Sequence, residues 1–216
     1  MKSLVSLLGG SPLLPIIQTE QPAVAVAIAQ AMYQGGVSAV EVVLRTPTAL
    51  ESISKIRQAL PQLKVGAGTI LSGADAVNAK NAGAQFLVSP ASTPALLSAM
   101  IGTGLPLAPG VSTASEIAMA LEMGLTELKF FPAHLSGGSA MLNALSSIFR
   151  QVKFCPTGGI GLHNLQEFLQ LPNVFVVGGS WLTPADLVRA GDYQAITGLV
   201  EQSLALAAVE PLRKQA

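Results

Sequence analysis

Short apolar runs alternate with longer segments of helical period along the whole chain, which is the signature of βα repetition. The runs at 14–18, 39–45, 64–70, 86–89, 106–109, 127–131, 153–157 and 174–178 predict eight strands. Each is followed by a segment able to form a helix. The first helix is predicted over 22–33 and ends at Gly35-Gly36, a common C-terminal signal. In the second, Leu50, Ile53, Ile56 and Leu60 recur at helical spacing and should face the sheet.

Helix starts carry their own marks. Thr46-Pro47 and Thr183-Pro184 each place a capping hydroxyl before a proline at the first helical position, where a missing N–H does no harm. Ser72-x-x-Asp75 and Thr113-x-x-Glu116 read as capping boxes. Eight βα units without a linker or low-complexity tract predict one domain over 1–216, a (β/α)₈ TIM barrel of the α/β class with a short N-terminal extension. An open doubly wound sheet would normally bind phosphate after its first strand, and Gln18-Thr19-Glu20-Gln21 has no glycine loop.

Composition narrows the setting. Only 11% of the 216 residues are charged and half are apolar, against a usual charged fraction of about 25%. Strands covered on both faces explain part of this, and a buried subunit interface would explain more, so an oligomer is expected. Zero net charge without a Lys/Arg cluster implies neither nucleic acid nor an anionic membrane as partner. A single cysteine, Cys155, cannot form an internal disulfide and fits a reducing cytoplasm. The apolar start resembles a secretory signal only faintly, because it lacks a small-residue cleavage site and is interrupted by Gly9-Gly10-Ser11-Pro12. No apolar run reaches the ~18 residues of a membrane span.

In such barrels the working residues sit at the C-terminal ends of strands and in the loops after them. That rule selects Glu41 and Arg45, Thr69, Pro90, Lys129, Gly158-Gly159 and Gly178-Gly179-Ser180. Alternation along Ala39-Val-Glu-Val-Val-Leu-Arg45 puts Glu41, Val43 and Arg45 on one face and apolar residues on the other. The apolar face should meet the helices, which turns the carboxylate and guanidinium inward. At ~3.3 Å per residue they stand ~13 Å apart, too far for a mutual ion pair, so each needs another partner. A structural polar network is the plain alternative to catalysis.

Lys129 is surrounded by apolar neighbours in Leu-Lys-Phe-Phe-Pro. There it either snorkels to solvent or loses proton affinity by desolvation, and a neutral amine is what attacks a ketone. A strand-edge charge is the competing reading. The glycine turns after the seventh and eighth strands are where this fold often binds phosphate through uncovered backbone N–H groups, although a tight turn alone would explain each.

Six segments, in order and at consistent spacing, match one known family. They are Gly35-Gly-Val-Ser-Ala-Val-Glu-Val-Val-Leu-Arg-Thr46, Val65-Gly-Ala-Gly-Thr-Ile70, Pro109-Gly-Val-Ser112, Leu128-Lys-Phe-Phe-Pro-Ala133, Phe154-Cys-Pro-Thr-Gly-Gly-Ile160 and Gly178-Gly-Ser-Trp181. Over nearly its whole length the chain resembles the bacterial 2-dehydro-3-deoxy-phosphogluconate (KDPG) aldolases, which also act on 4-hydroxy-2-oxoglutarate (KHG). The resemblance implies a class I, Schiff-base lyase of the Entner–Doudoroff pathway, without metal or cofactor and usually a homotrimer. Its substrate would be a phosphorylated 2-oxo acid and its products pyruvate and glyceraldehyde 3-phosphate. Lys129 would form the imine and Glu41 act as general acid/base. Arg45 and Thr69 would hold the carboxylate, with Pro90 and Phe131 shaping that pocket. Gly158, Gly159 and Ser180, with Gly179 in the same turn, would take the phosphate, and Thr157 would lie beside the sugar chain. His134 departs from the acidic residue that relatives often carry there.

The galactonate epimer is an alternative substrate, and a sugar-phosphate epimerase or isomerase could share the barrel without an imine. A non-catalytic phosphate-ligand binder would keep the glycine loops alone. A metal-dependent aldolase needs a ligand cluster, yet His134, His163 and Cys155 have no ligand spacing; the histidines read as surface or capping residues and the cysteine as a small buried one. Trp181, Met32, Met100, Met119 and Met123 read as packing.

Overall fold

A computed structural model describes residues 2–208. The order is α1 (Leu4–Leu8), β1 (Leu13–Ile17), α2 (Pro22–Gln34), β2 (Ala39–Val43), α3 (Ala49–Ala59), β3 (Lys64–Gly68), α4 (Gly73–Asn81), β4 (Leu87–Val88) and α5 (Pro94–Gly102). Then come β5 (Leu107–Ala108), β6 (Gly110–Val111), α6 (Ala114–Glu122), β7 (Glu127–Phe130), α7 (Gly138–Ser146), β8 (Lys153–Pro156), α8 (Leu165–Leu169), β9 (Val177–Gly179), α9 (Ala185–Ala190) and α10 (Tyr193–Ala208). Every pairing is parallel, in the orders β5-β4-β3-β2-β1-β9 and β6-β7-β8. This is an α/β fold with a parallel sheet curled into a half-barrel. The fifth predicted strand, 106–109, contains β5, and a further strand beyond its predicted end, β6, follows Pro109, so Lys129 lies on β7.

Burial follows the alternation read from β2. Val40 and Val42 join the large cluster that packs the strands against the helices, while Ala39 belongs to a second cluster on the concave side. Leu14, Phe86, Val88, Ala108, Cys155 and Val176 share that inner cluster with Leu4 and Leu8 of α1. The N-terminal extension is therefore part of the core. Leu4 and Leu8, one helical turn apart, are fully buried, worth about 1.5–3 kcal/mol each. Glu127 at the start of β7 anchors α1 by accepting hydrogen bonds from Ser3 Oγ and the Leu4 amide, both at 2.5 Å.

Capping chemistry is more selective than predicted. Thr113 and Glu116 form a reciprocal capping box at α6. Ser72 caps α4, but Asp75 reaches back to the Leu71 amide instead of its own N-cap residue. Thr46 and Thr183 do not cap. Their hydroxyls donate to the carbonyls of Thr19 and Ile16, and Thr48 donates to Glu20 O. Both helices begin later than predicted: the N-cap of α3 is Thr48 and that of α9 is Pro184, so neither the Thr46 nor the Thr183 hydroxyl stands at a capping position. The hydroxyl-before-proline cap appears instead at Thr93-Pro94 of α5. Helices α2, α3, α7, α8 and α9 have no side-chain cap bond.

Met32 and Met100 are fully buried, Met119 and Met123 pack on the core, and the Trp181 indole N–H donates to Ser203. No described helix is long and apolar enough to cross a membrane.

Candidate active site

The C-terminal strand ends surround a cavity of about 470 Å³, within the ~300–1,000 Å³ range of small-molecule sites. Lys129, Arg45, Phe131, Thr157, Gly158, Gly159, Gly179 and Ser180, all selected from sequence, line it. Glu41 is reached through Lys129: Nζ donates to Glu41 Oε1 at 3.3 Å, and both side chains are buried. Glu41 Oε2 is buried and accepts no hydrogen bond, which leaves one carboxylate oxygen free for a proton. The ammonium also sits 5.2 Å from the centre of the Phe131 ring, within cation–π range.

The local backbone makes room for this pair. Gly68 of β3 lies beside Val43 of β2 in the parallel register. A Cβ on Gly68 would fall 1.9 Å from Glu41 Oε1, so any side chain there would occupy the carboxylate's place.

Arg45 and Thr69 meet as a unit, with Arg45 Nε donating to Thr69 Oγ1 at 3.1 Å. The partner that distance denied Arg45 in Glu41 is thus supplied by the next strand. Thr69 has a φ of 59°, and it is the only described non-glycine residue in the left-handed region. A β-branched residue there costs energy, and such conformations gather at functional sites. Pro90 stands apart from the cavity, its backbone resting on Gly110, which is opposite Lys129 in the register.

At the other end the turn after β8 is built from glycines for two reasons. Gly158 and Gly159 have φ values of 100° and 73°, and a Cβ on Gly159 would meet His134 Cβ at 2.5 Å. His134 itself is exposed, and its amide donates to Gly158 O, so it braces the turn from outside. Cys155 lies beneath the site. Burial pushes its thiol up to about 12, with the Lys129 charge opposing and the Glu41 charge assisting, so it stays protonated at neutral pH.

Sequence reasoning missed Ile16, Gln18, Ile160, Thr183 and Ala185, which also line the cavity. Gln18 follows a strand and so satisfied the strand-end rule. Nothing else in its local sequence marks it as a site residue. The hydroxyls of Thr46 and Thr48 hold the loop after β1 through Thr19 and Glu20, and Thr183 binds the end of β1 through Ile16. Among the described residues no three His, Cys, Asp or Glu side chains cluster as metal ligands.

Residues 5–199 match the family model described as KDPG and KHG aldolase. The KHG/KDPG aldolase of Escherichia coli is 44% identical over 92% of this chain and 93% of its own length. The crystal structure of KDPG aldolase from Legionella pneumophila, with pyruvate captured as a covalent carbinolamine intermediate, superposes with a TM-score of 0.88. It is 40% identical and covers 91% of this chain and 96% of its own. That of the Zymomonas mobilis 2-keto-3-deoxy-6-phosphogluconate aldolase with 3-phosphoglycerate gives 0.86 at 40% identity, over 93% and 94%. With the family model spanning most of the chain and these relatives aligned nearly end to end, the chain belongs to the KDPG and KHG aldolase family.

Proposed function

We propose that this protein is a class I aldolase that cleaves 2-dehydro-3-deoxy-6-phosphogluconate to pyruvate and glyceraldehyde 3-phosphate, and 4-hydroxy-2-oxoglutarate to pyruvate and glyoxylate. One observation carries the reading: the buried Lys129–Glu41 contact at the inner end of a cavity whose far end is a glycine turn. The relatives' names agree with it, and so does the carbinolamine found in the Legionella enzyme.

Lys129 adds to the C2 ketone, and loss of water leaves an iminium that accepts the electron pair of the breaking bond. Glu41 takes the C4 hydroxyl proton as C3–C4 breaks, using the carboxylate that already faces Nζ. Glyceraldehyde 3-phosphate departs. The enamine is reprotonated at C3, and water releases pyruvate and restores the amine. Arg45 and Thr69 hold the carboxylate, which a guanidinium can grip bidentately. Phe131 bounds that end, with Pro90 behind it against Gly110; Thr157 flanks the sugar chain, and Gly158, Gly159, Gly179 and Ser180 hold the phosphate. Anchoring the remote end positions the reacting bond.

The scaffold in this reading is one closed (β/α)₈ domain. Two features support closure: β5 and β6 are contiguous across Pro109 yet pair with different sheets, and isolated parallel bridges join Phe154 to Val174 and Thr157 to Gly178. A homotrimer accords with the low charge content, and a cytoplasmic location with the single cysteine. A pyruvate-release assay on the gluconate- and galactonate-derived phosphates and on 4-hydroxy-2-oxoglutarate tests the function. The gluconate compound should be cleaved with the highest kcat/KM; preference for the galactonate epimer, or no pyruvate from any of the three, would overturn the assignment.

A further inference from the structure

The break at Pro109 leaves two backbone groups to be satisfied next to the nucleophile. Leu87 N donates to Pro106 O and Ser89 N to Ala108 O, so alternation turns the N–H and C=O of Gly110 the same way, toward a strand continuing past Ser89. That strand does not continue. In the register set by Leu87 and Ser89 the next donor to Gly110 O would be the Ala91 amide, but the chain bends at Pro90 and makes no such bond.

Two serine hydroxyls take the place of the missing ladder. Gly110 N donates to Ser89 Oγ at 3.4 Å, and Ser92 Oγ donates to Gly110 O at 2.9 Å. Ser89 Oγ in turn donates to Ala91 O at 2.7 Å, so it is used in both directions. Ser89 is fully buried and Ser92 nearly so. The turn they hold lies directly on Gly110, where a Cβ would fall 2.3 Å from Pro90 C and 2.4 Å from Pro90 O. On its opposite edge the same short strand fixes Lys129: its amide donates to Pro109 O at 2.8 Å, and Gly110 is its register partner.

We propose that Ser89 and Ser92 are positioning residues for the imine-forming end of the site. By standing in for a ladder that ends at Ser89, they clamp β6 between the turn at Pro90 and the backbone of Lys129. They thereby set where the amine meets the 2-oxo group. The proposal rests on the reading of Lys129 as the nucleophile, and it assigns the serines no contact with substrate.

The test follows the rate at which borohydride traps pyruvate on the enzyme, with competitive inhibition by inorganic phosphate reading the remote end. Ser89→Ala and Ser92→Ala should each slow trapping about tenfold while the phosphate inhibition constant moves by less than about twofold. Ser92→Thr, which keeps the hydroxyl, should trap at close to the wild-type rate. Ser92→Cys, which keeps the volume but is a weak donor, should not, and this pair serves if an alanine variant fails to fold. Equal trapping rates in Ser92→Cys and Ser92→Thr would overturn the proposal. So would alanine variants that trap like wild type, or that lose pyruvate and phosphate affinity alike. Failure of the wild-type enzyme to trap pyruvate on Lys129 would be a different result, removing the functional reading and this inference with it.

Discussion

Gly68→Ala is a one-methyl perturbation aimed at the carboxylate that faces Lys129 Nζ, the nucleophile in the proposed reaction. The new Cβ would stand 1.9 Å from Glu41 Oε1, 2.6 Å from Cδ and 2.7 Å from Cγ. Comfortable contact is about 3.5–4.0 Å, so the carboxylate must retreat by roughly 1.5–2 Å. Its contact with Lys129 Nζ is only 3.3 Å long, and the side chain is fully buried, so little room exists for a harmless retreat. Gly68 is not in the left-handed region, and alanine meets no backbone penalty there. The effect is therefore steric. Misplacing a catalytic group by about 1 Å can cost about a hundredfold, and we expect kcat for pyruvate release to fall by about that factor. Overpacking should cost about 1–3 kcal/mol of stability. Gly198→Ala is the control: within α10 its Cβ meets nothing within 4 Å. It should leave kcat unchanged and add up to about 1 kcal/mol of stability. Pyruvate release is followed by coupling to lactate dehydrogenase, and stability by urea unfolding. A folded Gly68→Ala enzyme with kcat within about threefold of wild type would refute the steric link between β3 and Glu41.

Cys155, held protonated with its thiol pushed up to about 12, should resist iodoacetamide at pH 8 in the folded enzyme and react once urea unfolds it; prompt native labelling would contradict its placement. Because its folded value is raised from 9.0, the stability it contributes is complete below that value and is lost as pH climbs toward about 12. Thr113→Ala should cost about 1 kcal/mol through loss of the α6 cap, read by urea unfolding, and no measurable cost would contradict the cap. Partial burial raises the Glu116 carboxyl, but hydrogen bonds from Ser112 and Thr113 outweigh it and hold it below its ordinary value of 4.5. Its contribution is thus present above the unfolded carboxyl range and is lost as pH falls through the folded value. The stability gap between wild type and Glu116→Gln should close in acid, and a gap constant from neutral pH to pH 3 would contradict this. Turnover should be unaffected by EDTA; loss on chelation with recovery on adding a divalent cation would contradict the Schiff-base route.

Most of the strand pattern was legible because each run is apolar and short enough to separate from its helix. The division at Pro109 was not, since a proline ending a strand and a proline interrupting one look alike in sequence. Helix α1 was hidden by its length: two leucines four residues apart are too few to show a period, yet both are fully buried. Thr46 and Thr183 have the chemistry of caps, but α3 and α9 begin only at Ala49 and Ala185, and the two hydroxyls donate instead to Thr19 O and to Ile16 O of β1, meetings that chain order does not announce. In the site, strand-end position and alternation found Lys129, Glu41 and Arg45. Strand-end position admits Gln18 as well, but its place on the cavity wall depends on β1 pairing with β9 more than 160 residues away. Nor does a β-branched residue such as Thr69 advertise a left-handed backbone. That conformation is imposed from outside the local sequence.

The central claim, that the buried amine of Lys129 forms the imine, is tested most directly by reducing the enzyme with borohydride in the presence of pyruvate and mapping the adduct by peptide mass spectrometry. The account predicts a single modified residue, Lys129, with no adduct in Lys129→Arg and a retained adduct but slowed cleavage in Glu41→Gln. A stable adduct on any other lysine, or none in the wild-type protein, would contradict it.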